Sequence, residues 1–273
     1  MNVLILGGSG QLGSQLLKFF PDAKYTCREK DPIGNGIKVD FTSYMQIYDM
    51  IIKSMPEVII NTVAVTDVDL CERDRSYAYS VNSEAVKYIA RASAAVKAYL
   101  IHVSTDYVFD GERGFYSEDD TPNPINYYGL TKLLGEAYAL SYDYSLVIRT
   151  SGVFLNKGFP SFVMKQLKED KTVNAFKGYY SPISAFKLAE SIASLIKIKE
   201  TGILNVAGER ITRHDLAMRI AEAYNLPKNI VETDKINWLA RRPYDSSLKI
   251  SKAKRLLAND FFDISLNIAH LQQ

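Results

Sequence analysis

The chain has 273 residues, 47% of them apolar and 23% charged, which suits one large α/β domain or a nucleotide-binding domain with a small attached lobe. A formal net charge of +2, densest at Arg241 and Arg242, argues against a general nucleic-acid or membrane surface but permits a local phosphate pocket. Cys27 and Cys71 are too few for a disulfide framework, which fits a reducing cytoplasm, and three scattered histidines (His102, His214, His270) lack metal-ligand spacing, so no metal is expected.

The run "VLIL" lacks a basic flank and leads straight into glycines, so it reads as a first strand rather than a signal peptide. No run approaches 18 apolar residues, and no membrane span is expected. Residues 11–20 repeat apolar residues at helical spacing. Strands follow at 24–28 and 37–40, a helix at 44–54, and a largely apolar strand at 57–65. A long helix is predicted over 78–98, a strand over 99–104, a helix over 131–141 and a strand over 145–150. Beyond these come a helix in "FPSFVMKQLKED", a strand in "TVNAF", a helix over 184–198, a strand over 202–208 and a helix over 214–224.

Strand–helix alternation predicts an α/β fold with a doubly wound, Rossmann-type parallel sheet. Residues 1–151, continued by 183–208, form its nucleotide-binding domain, and 152–182 with 209–273 form a smaller discontinuous C-terminal substrate lobe. Ligands of such sheets sit at the carboxyl ends of the strands, which places 7–13, 61–66, 104–106 and 150–152 along one rim.

"GGSGQLG" (7–13) follows the first strand and opens a helix. Gly7, Gly10 and Gly13 let the backbone turn tightly and approach a pyrophosphate, while the helix start, at Gln11 and Leu12, offers unpaired N–H groups. At the tip of the second strand Arg28 precedes Glu29 and Lys30. The arginine favours the 2′-phosphate of NADP through its forked donors, whereas Glu29 leaves NAD open.

"STDYVFDG" puts Ser104, Thr105 and Asp106 at a strand end, with hydroxyls facing the rim. Tyr128 and Lys132 follow at i, i+4, on one helix face one turn apart, whereas Tyr127 and Lys132 are about 140° apart. If the pair is catalytic, the tyrosine is Tyr128, and Tyr127 packs or lines the pocket. Hydride arriving at a carbonyl leaves an alkoxide that needs a proton. A cationic Lys132 and an oxidised nicotinamide are expected to draw the Tyr128 phenol down toward neutral pH, with Thr105 orienting the carbonyl oxygen. Asp106 either assists proton transfer or caps a turn. Asn82 is expected to be a structural hydrogen-bonding residue near the active-site helix. Glu118, Asp119 and Asp120 read as a solvated acidic loop, His270 as a surface residue, and Trp238 as packing rather than a cap on a substrate base.

These motifs, with "NTVAVTDVDLCE", "YSVN", "YYGLTKLLGE", "RTSGVF" and "RRPYDSSL", resemble the dTDP-4-dehydrorhamnose reductase family of the extended short-chain dehydrogenase/reductases, over residues 7–248. The resemblance implies NADPH-dependent reduction of the 4-keto group of a dTDP-sugar, with Thr105, Tyr128 and Lys132 catalytic. It implies Asp40 and Phe41 near the adenine, Ala64 and Thr66 by the cofactor and sugar, and Arg242 in the substrate lobe. The sugar region, which also takes in Thr105 and Asp106, departs from the family's pattern. "NTVAVT" replaces an alanine-rich segment, Asp245 stands where asparagine is common, and Gly152 stands where the family usually carries a tryptophan. A reductase of another nucleotide sugar is one alternative. Another is a non-catalytic NADP-binding module, since the same signatures occur in the regulatory β subunit of methionine adenosyltransferase. The partners implied are a dTDP-sugar and, compatibly, a second copy in a homodimer, with neither nucleic acid nor membrane.

Overall fold

The computed structural model describes the chain except residues 29–30, 32–33, 235–236, 258–259 and 273. Seven parallel strands form one sheet in the order β3-β2-β1-β4-β5-β6-β9. They are β1 (Val3–Leu6), β2 (Lys24–Cys27), β3 (Ile37–Lys38), β4 (Val58–Asn61), β5 (Tyr99–Thr105), β6 (Ser145–Thr150) and β9 (Gly202–Asn205). The order reverses between β1 and β4, so the sheet opens a ligand crevice there at the strands' carboxyl ends.

The apolar strands carry two alternating faces. Ile5, Ile60, Ile101 and Ile148 pack with Leu16 of α1 (Gln11–Phe19) and Leu188 and Ile192 of α8 (Ala185–Ile198). Leu4, Ile59, Leu100 and Val147 pack on the opposite side with Ile47 and Ile51 of α2 (Tyr44–Ser54) and Ile89 of α5 (Ala85–Val96). Burial on both faces is what a continuous Val/Ile/Leu run means in a parallel strand. Ala139 of α6 (Tyr127–Leu140) joins this second cluster.

Three expected elements differ. The strand predicted over 57–65 stops at Asn61, whose side-chain oxygen accepts from the Val63 N–H at 3.1 Å and turns the chain off the sheet. The helix predicted over 78–98 is α4 (Arg75–Tyr79), a π-helical turn at Ser80–Glu84 and then α5. The widened turn holds Asn82, which is fully buried and bonds the backbone of Val65 in both directions, at 2.8 and 3.1 Å. The strand over 202–208 ends at Asn205, whose amide donates to Tyr116 and Lys249 carbonyls at 2.9 and 3.2 Å.

A smaller layer holds two short sheets. In one, β7 (Val173–Phe176) pairs in parallel with β11 (Ile230–Thr233). In the other, β8 (Tyr179–Tyr180) pairs antiparallel with β10 (Ile211–Thr212). Val163 and Leu167 of α7 (Phe159–Lys168), Val173, Tyr180, and Leu216 and Ile220 of α9 (Arg213–Ala223) share its core. The structure therefore has the Rossmann-type sheet and the smaller C-terminal layer. However, Ala253, Leu257 and Phe261, from the stretch assigned to the lobe, pack with α1 and α8 on the main sheet.

One buried ion pair fixes α6 on this sheet. Arg149 of β6 reaches Glu136 of α6, Nη2 to Oε2 at 2.8 Å, with both side chains 2% exposed. Ser104 of β5 donates to Glu136 Oε1 at 2.5 Å, so its hydroxyl faces α6 rather than serving the rim alone. Removing one member leaves an uncompensated buried charge. Glu136→Gln is expected to lower unfolding free energy by roughly 3–5 kcal/mol, read by urea denaturation. A change below about 0.5 kcal/mol, the scale of a surface substitution, would contradict the pair's structural role.

Candidate active site

Two adjoining cavities lie along the carboxyl rim. They share Gly10, Thr62 and Ala64 in their linings and have volumes of about 720 and 590 Å³. The larger is lined by Gly7, Arg28, Asp40 and Phe41 among others. The second is lined by Gln11, Leu12, Thr66, Thr105, Asp106, Tyr128, Lys132 and Gly152 among others. The fold thus brings most of the sequence-marked residues to one connected crevice.

At the glycine loop, α1 begins with Gly10 as its N-cap and no side-chain cap. The backbone N–H groups of Gln11, Leu12 and Gly13 have no acceptor among the described residues. This is the uncapped helix start that suits an anion. Gly13 lies beneath the loop, where a Cβ would stand 2.1 Å from the Gly7 carbonyl oxygen. Gln11 has a further role: its side-chain oxygen accepts from the Leu155 and Lys157 N–H groups at 3.0 and 2.8 Å. The side chain therefore ties the loop to the segment after β6, which leaves its backbone N–H for a ligand.

Arg28 is exposed at the larger cavity, and Glu29 and Lys30 lie outside the described residues. The Asp40 carboxylate accepts from the Thr42 N–H and hydroxyl at 2.9 and 2.8 Å, which holds it below the usual carboxylate range. Ala64 and Thr66 lie in the loop after β4 that Asn82 staples, and Asn82 also donates to Thr131 of α6 at 3.2 Å. That hydrogen-bonding role agrees with the sequence reading.

Asn126 caps α6, accepting from the Gly129 N–H at 2.8 Å, and so starts the helix four residues before the predicted boundary. The α-helical spacing then holds along Tyr128, Lys132 and Glu136 at i, i+4 and i+8, one stripe of the helix. Tyr127 leaves this stripe. Its N–H donates to Glu72 at 2.7 Å, Arg75 lies over its ring at 5.1 Å, and it lines neither cavity.

Thr105 caps a short 3-10 turn, with its hydroxyl accepting from the Tyr107 N–H at 3.2 Å and donating to Asp106 at 3.1 Å. Asp106 is buried, and its other oxygen takes hydroxyl donors from Ser151 at 2.7 Å and Ser246 at 2.5 Å. Burial raises its pKa against those three hydroxyls. The carboxylate is thus occupied as a structural hub that joins β5, the segment after β6 and the C-terminal layer.

The expected lowering of the Tyr128 phenol does not arise from the protein's own groups. Burial raises its pKa well above the ordinary 10.0, and the nearby Thr105 hydroxyl opposes this only in part. Lys132, 1% exposed, donates from Nζ to the Val103 carbonyl at 2.8 Å and is pushed down to about 8 by burial, with Glu136 opposing. His102, unmarked in the sequence, is fully buried beside it. Asn61 uses its oxygen for Val63, so its amide N–H faces His102 Nδ1 at 3.0 Å. That makes Nδ1 an acceptor and puts the ring proton on Nε2, 3.4 Å from Lys132 Nζ.

The remaining marked residues lie elsewhere. Arg242 lines neither cavity; it pairs with Asp69 at 2.9 Å and lies 5.0 Å over the Trp238 ring, which packs edge-on against Phe176 at 4.8 Å. Asp120 accepts from Ser117 and pairs with Arg113, and Glu118 accepts from the Asn205 N–H. His270, read as a surface residue, is half-buried and stacks on Phe186 at 4.3 Å. Among the described residues no helix is long and apolar enough to cross a membrane. Residues the sequence did not mark also line the second cavity, notably Tyr107, Tyr180 and Arg213. Tyr107 and Tyr180 sit on segments too short to show periodicity, and Arg213 stands just ahead of the helix predicted over 214–224.

A family model described as the RmlD substrate binding domain matches residues 1–269. The chain is similar to a hypothetical dTDP-4-dehydrorhamnose reductase from Sulfolobus tokodaii, with 53% identity, a TM-score of 0.94 and 97% and 98% of the two chains covered. It is also similar to dTDP-4-dehydrorhamnose reductase from Bacillus anthracis str. Ames, solved in complex with NADP, at 26% identity and a TM-score of 0.88, with 100% and 99% covered. Among curated relatives, dTDP-4-dehydrorhamnose reductase from Aggregatibacter actinomycetemcomitans is 34% identical over 93% of this chain and 92% of its own. Methionine adenosyltransferase 2 subunit beta from Bos taurus is 29% identical over 93% and 82%. With a model spanning nearly its whole length and the glycine loop and Tyr128–Lys132 stripe on one crevice, the chain belongs to the RmlD family, that of the dTDP-4-dehydrorhamnose reductases.

Proposed function

We propose that this protein reduces the 4-keto group of a dTDP-activated deoxysugar, dTDP-4-dehydrorhamnose, to give dTDP-L-rhamnose with NADPH, and that Tyr128 is the proton donor. The observation that carries this reading is the meeting of Thr105, Tyr128 and Lys132 in a cavity that adjoins the glycine-loop cavity. The residues present fit the cofactor. The N–H groups of Gln11, Leu12 and Gly13 would hold its pyrophosphate, Arg28 its 2′-phosphate, and Asp40 and Phe41 its adenosine end. When bound, NADPH supplies the hydride.

The protein's own part is proton supply and placement. The raised phenol stays protonated at neutral pH and is ready to donate as negative charge grows on the carbonyl oxygen. Thr105, whose hydroxyl lines the same cavity as the phenol, orients that oxygen. Lys132, while charged, steadies the phenolate left behind. The regulatory-module reading draws on the methionine adenosyltransferase relative. Mixing purified protein with NADPH and the dTDP-keto sugar separates the two by nicotinamide absorbance. Tight NADP binding without oxidation by any keto sugar would favour the module.

Tyr128→Phe is expected to lower kcat by about 10²–10⁴-fold while leaving the NADPH dissociation constant within about twofold. Wild-type turnover in this variant would remove Tyr128 as the donor. Lys132 keeps its proton below about pH 8 and loses it above, so keto-sugar reduction should fall as pH rises through that value. Lys132→Arg, which stays charged, should flatten this limb of the kcat profile, and an unchanged limb would place the titrating group elsewhere.

A further inference from the structure

The second cavity holds a cation that proton transfer leaves unused. Arg213 opens α9 directly after β10, so the two-residue strand delivers it to the cavity wall. Arg149, Arg210, Arg219 and Arg242 each pair with a carboxylate, but Arg213 has no carboxylate within pairing distance among the described residues. Its guanidinium lies 4.5 Å over the Tyr180 ring and 5.9 Å over the Phe176 ring. Aromatic faces hold a guanidinium by its plane and leave the N–H donors at its edge available. The guanidinium charge also acts on the buried Tyr107 phenol, opposing the rise that burial gives it.

The Tyr180 ring holds its place because residue 152 has no side chain. A Cβ on Gly152 would stand 2.8 and 2.9 Å from two ring carbons, and its φ of +50° favours glycine. Tyr180 is 5% exposed, and its hydroxyl has no partner among the described residues. The same is true of the Thr150 hydroxyl, on the strand position paired with Thr105. An unneutralised forked cation and unsatisfied hydroxyls thus line one wall, and each gains from a polar, anionic ligand.

We propose that Arg213, braced on Tyr180, binds the diphosphate of a sugar nucleotide. This deepens the reductase reading and rests on it. The Tyr107 ring lies edge-on to Tyr128 at 5.9 Å, and Tyr107, Tyr128 and Arg213 line the same cavity. In a 4-keto hexose the phosphate on C1 and the carbonyl at C4 lie at opposite ends of one sugar ring. One cavity that holds both a phenol and a guanidinium can serve those two ends. The glycine loop serves the cofactor's own pyrophosphate in the adjoining cavity, so the two anions have separate sites.

The test is calorimetric titration of dTDP into the NADP-saturated protein. Arg213→Ala should weaken dTDP about 10- to 100-fold, the loss expected for hydrogen bonds to a charged group, with NADP affinity unchanged as the control for folding. Arg213→Lys should restore only part, because a flexible ammonium does not stack or fork. Gly152→Ala should also weaken dTDP, by displacing the Tyr180 ring. Inorganic pyrophosphate should compete with dTDP on the wild type. In turnover, Arg213→Ala should raise KM more than it lowers kcat. If the variant that binds NADP normally also binds dTDP normally, or if the wild type does not bind dTDP, the proposal fails. If dTDP binding depends on Arg213 but no keto sugar is reduced, the subsite stands and the reductase reading falls.

Discussion

The Arg149–Glu136 pair, with Ser104, is the constraint that makes the active-site face of α6 usable. Glu136 belongs to the same stripe as Tyr128 and Lys132, so anchoring it to β5 and β6 fixes the rotation of all three. A turn of the helix by one residue would carry the phenol about 100° from the cavity. A buried ion pair of this kind contributes little net stability, because desolvation offsets much of the attraction. Its value here is register. The same carboxylate also opposes the desolvation of Lys132 and so helps keep the amine protonatable near neutral pH.

A second layer of polar groups holds the loops rather than the helix. Asn82 uses both ends of its amide on the Val65 backbone, and the π-helical turn supplies the room for it. Gln11 ties the glycine loop to the segment after β6, and Asp106 gathers hydroxyls from three parts of the chain. Each of these side chains is committed to protein partners. The groups that face the crevice without such a commitment include the helix-start N–H groups, Arg213 and the Tyr180 and Thr150 hydroxyls.

The sheet was legible because its strands are apolar on both faces and its helices keep a 3.6-residue stripe. The geometry of Tyr128 against Tyr127 followed from the same period. What remained hidden depends on contacts distant in sequence. Asn61 looks like one more strand residue until its side chain meets His102, 41 residues on. The two-residue strands β8 and β10 are too short for any period, yet they place Tyr180 and Arg213. The phenol's pKa is not legible in the sequence, because a neighbouring lysine shows there while burial, set only by the fold, is the larger effect.

The two halves of the crevice are built differently, and that difference bears on how each can change. Thr105, Tyr128 and Lys132 come from one strand end and one helix locked together by a buried ion pair, so they move as a unit. The opposite wall comes from the segment after β6, from β8 and from the start of α9, held mainly by packing and stacking. There a loss at one position can be met by a gain at another. Gly152 leaves a space that the Tyr180 ring takes. An aromatic surface is thus supplied from β8, with Arg213 resting on it. A stripe fixed by one buried ion pair, facing a wall assembled from separable pieces, lets that wall vary without disturbing the Tyr128–Lys132 pair.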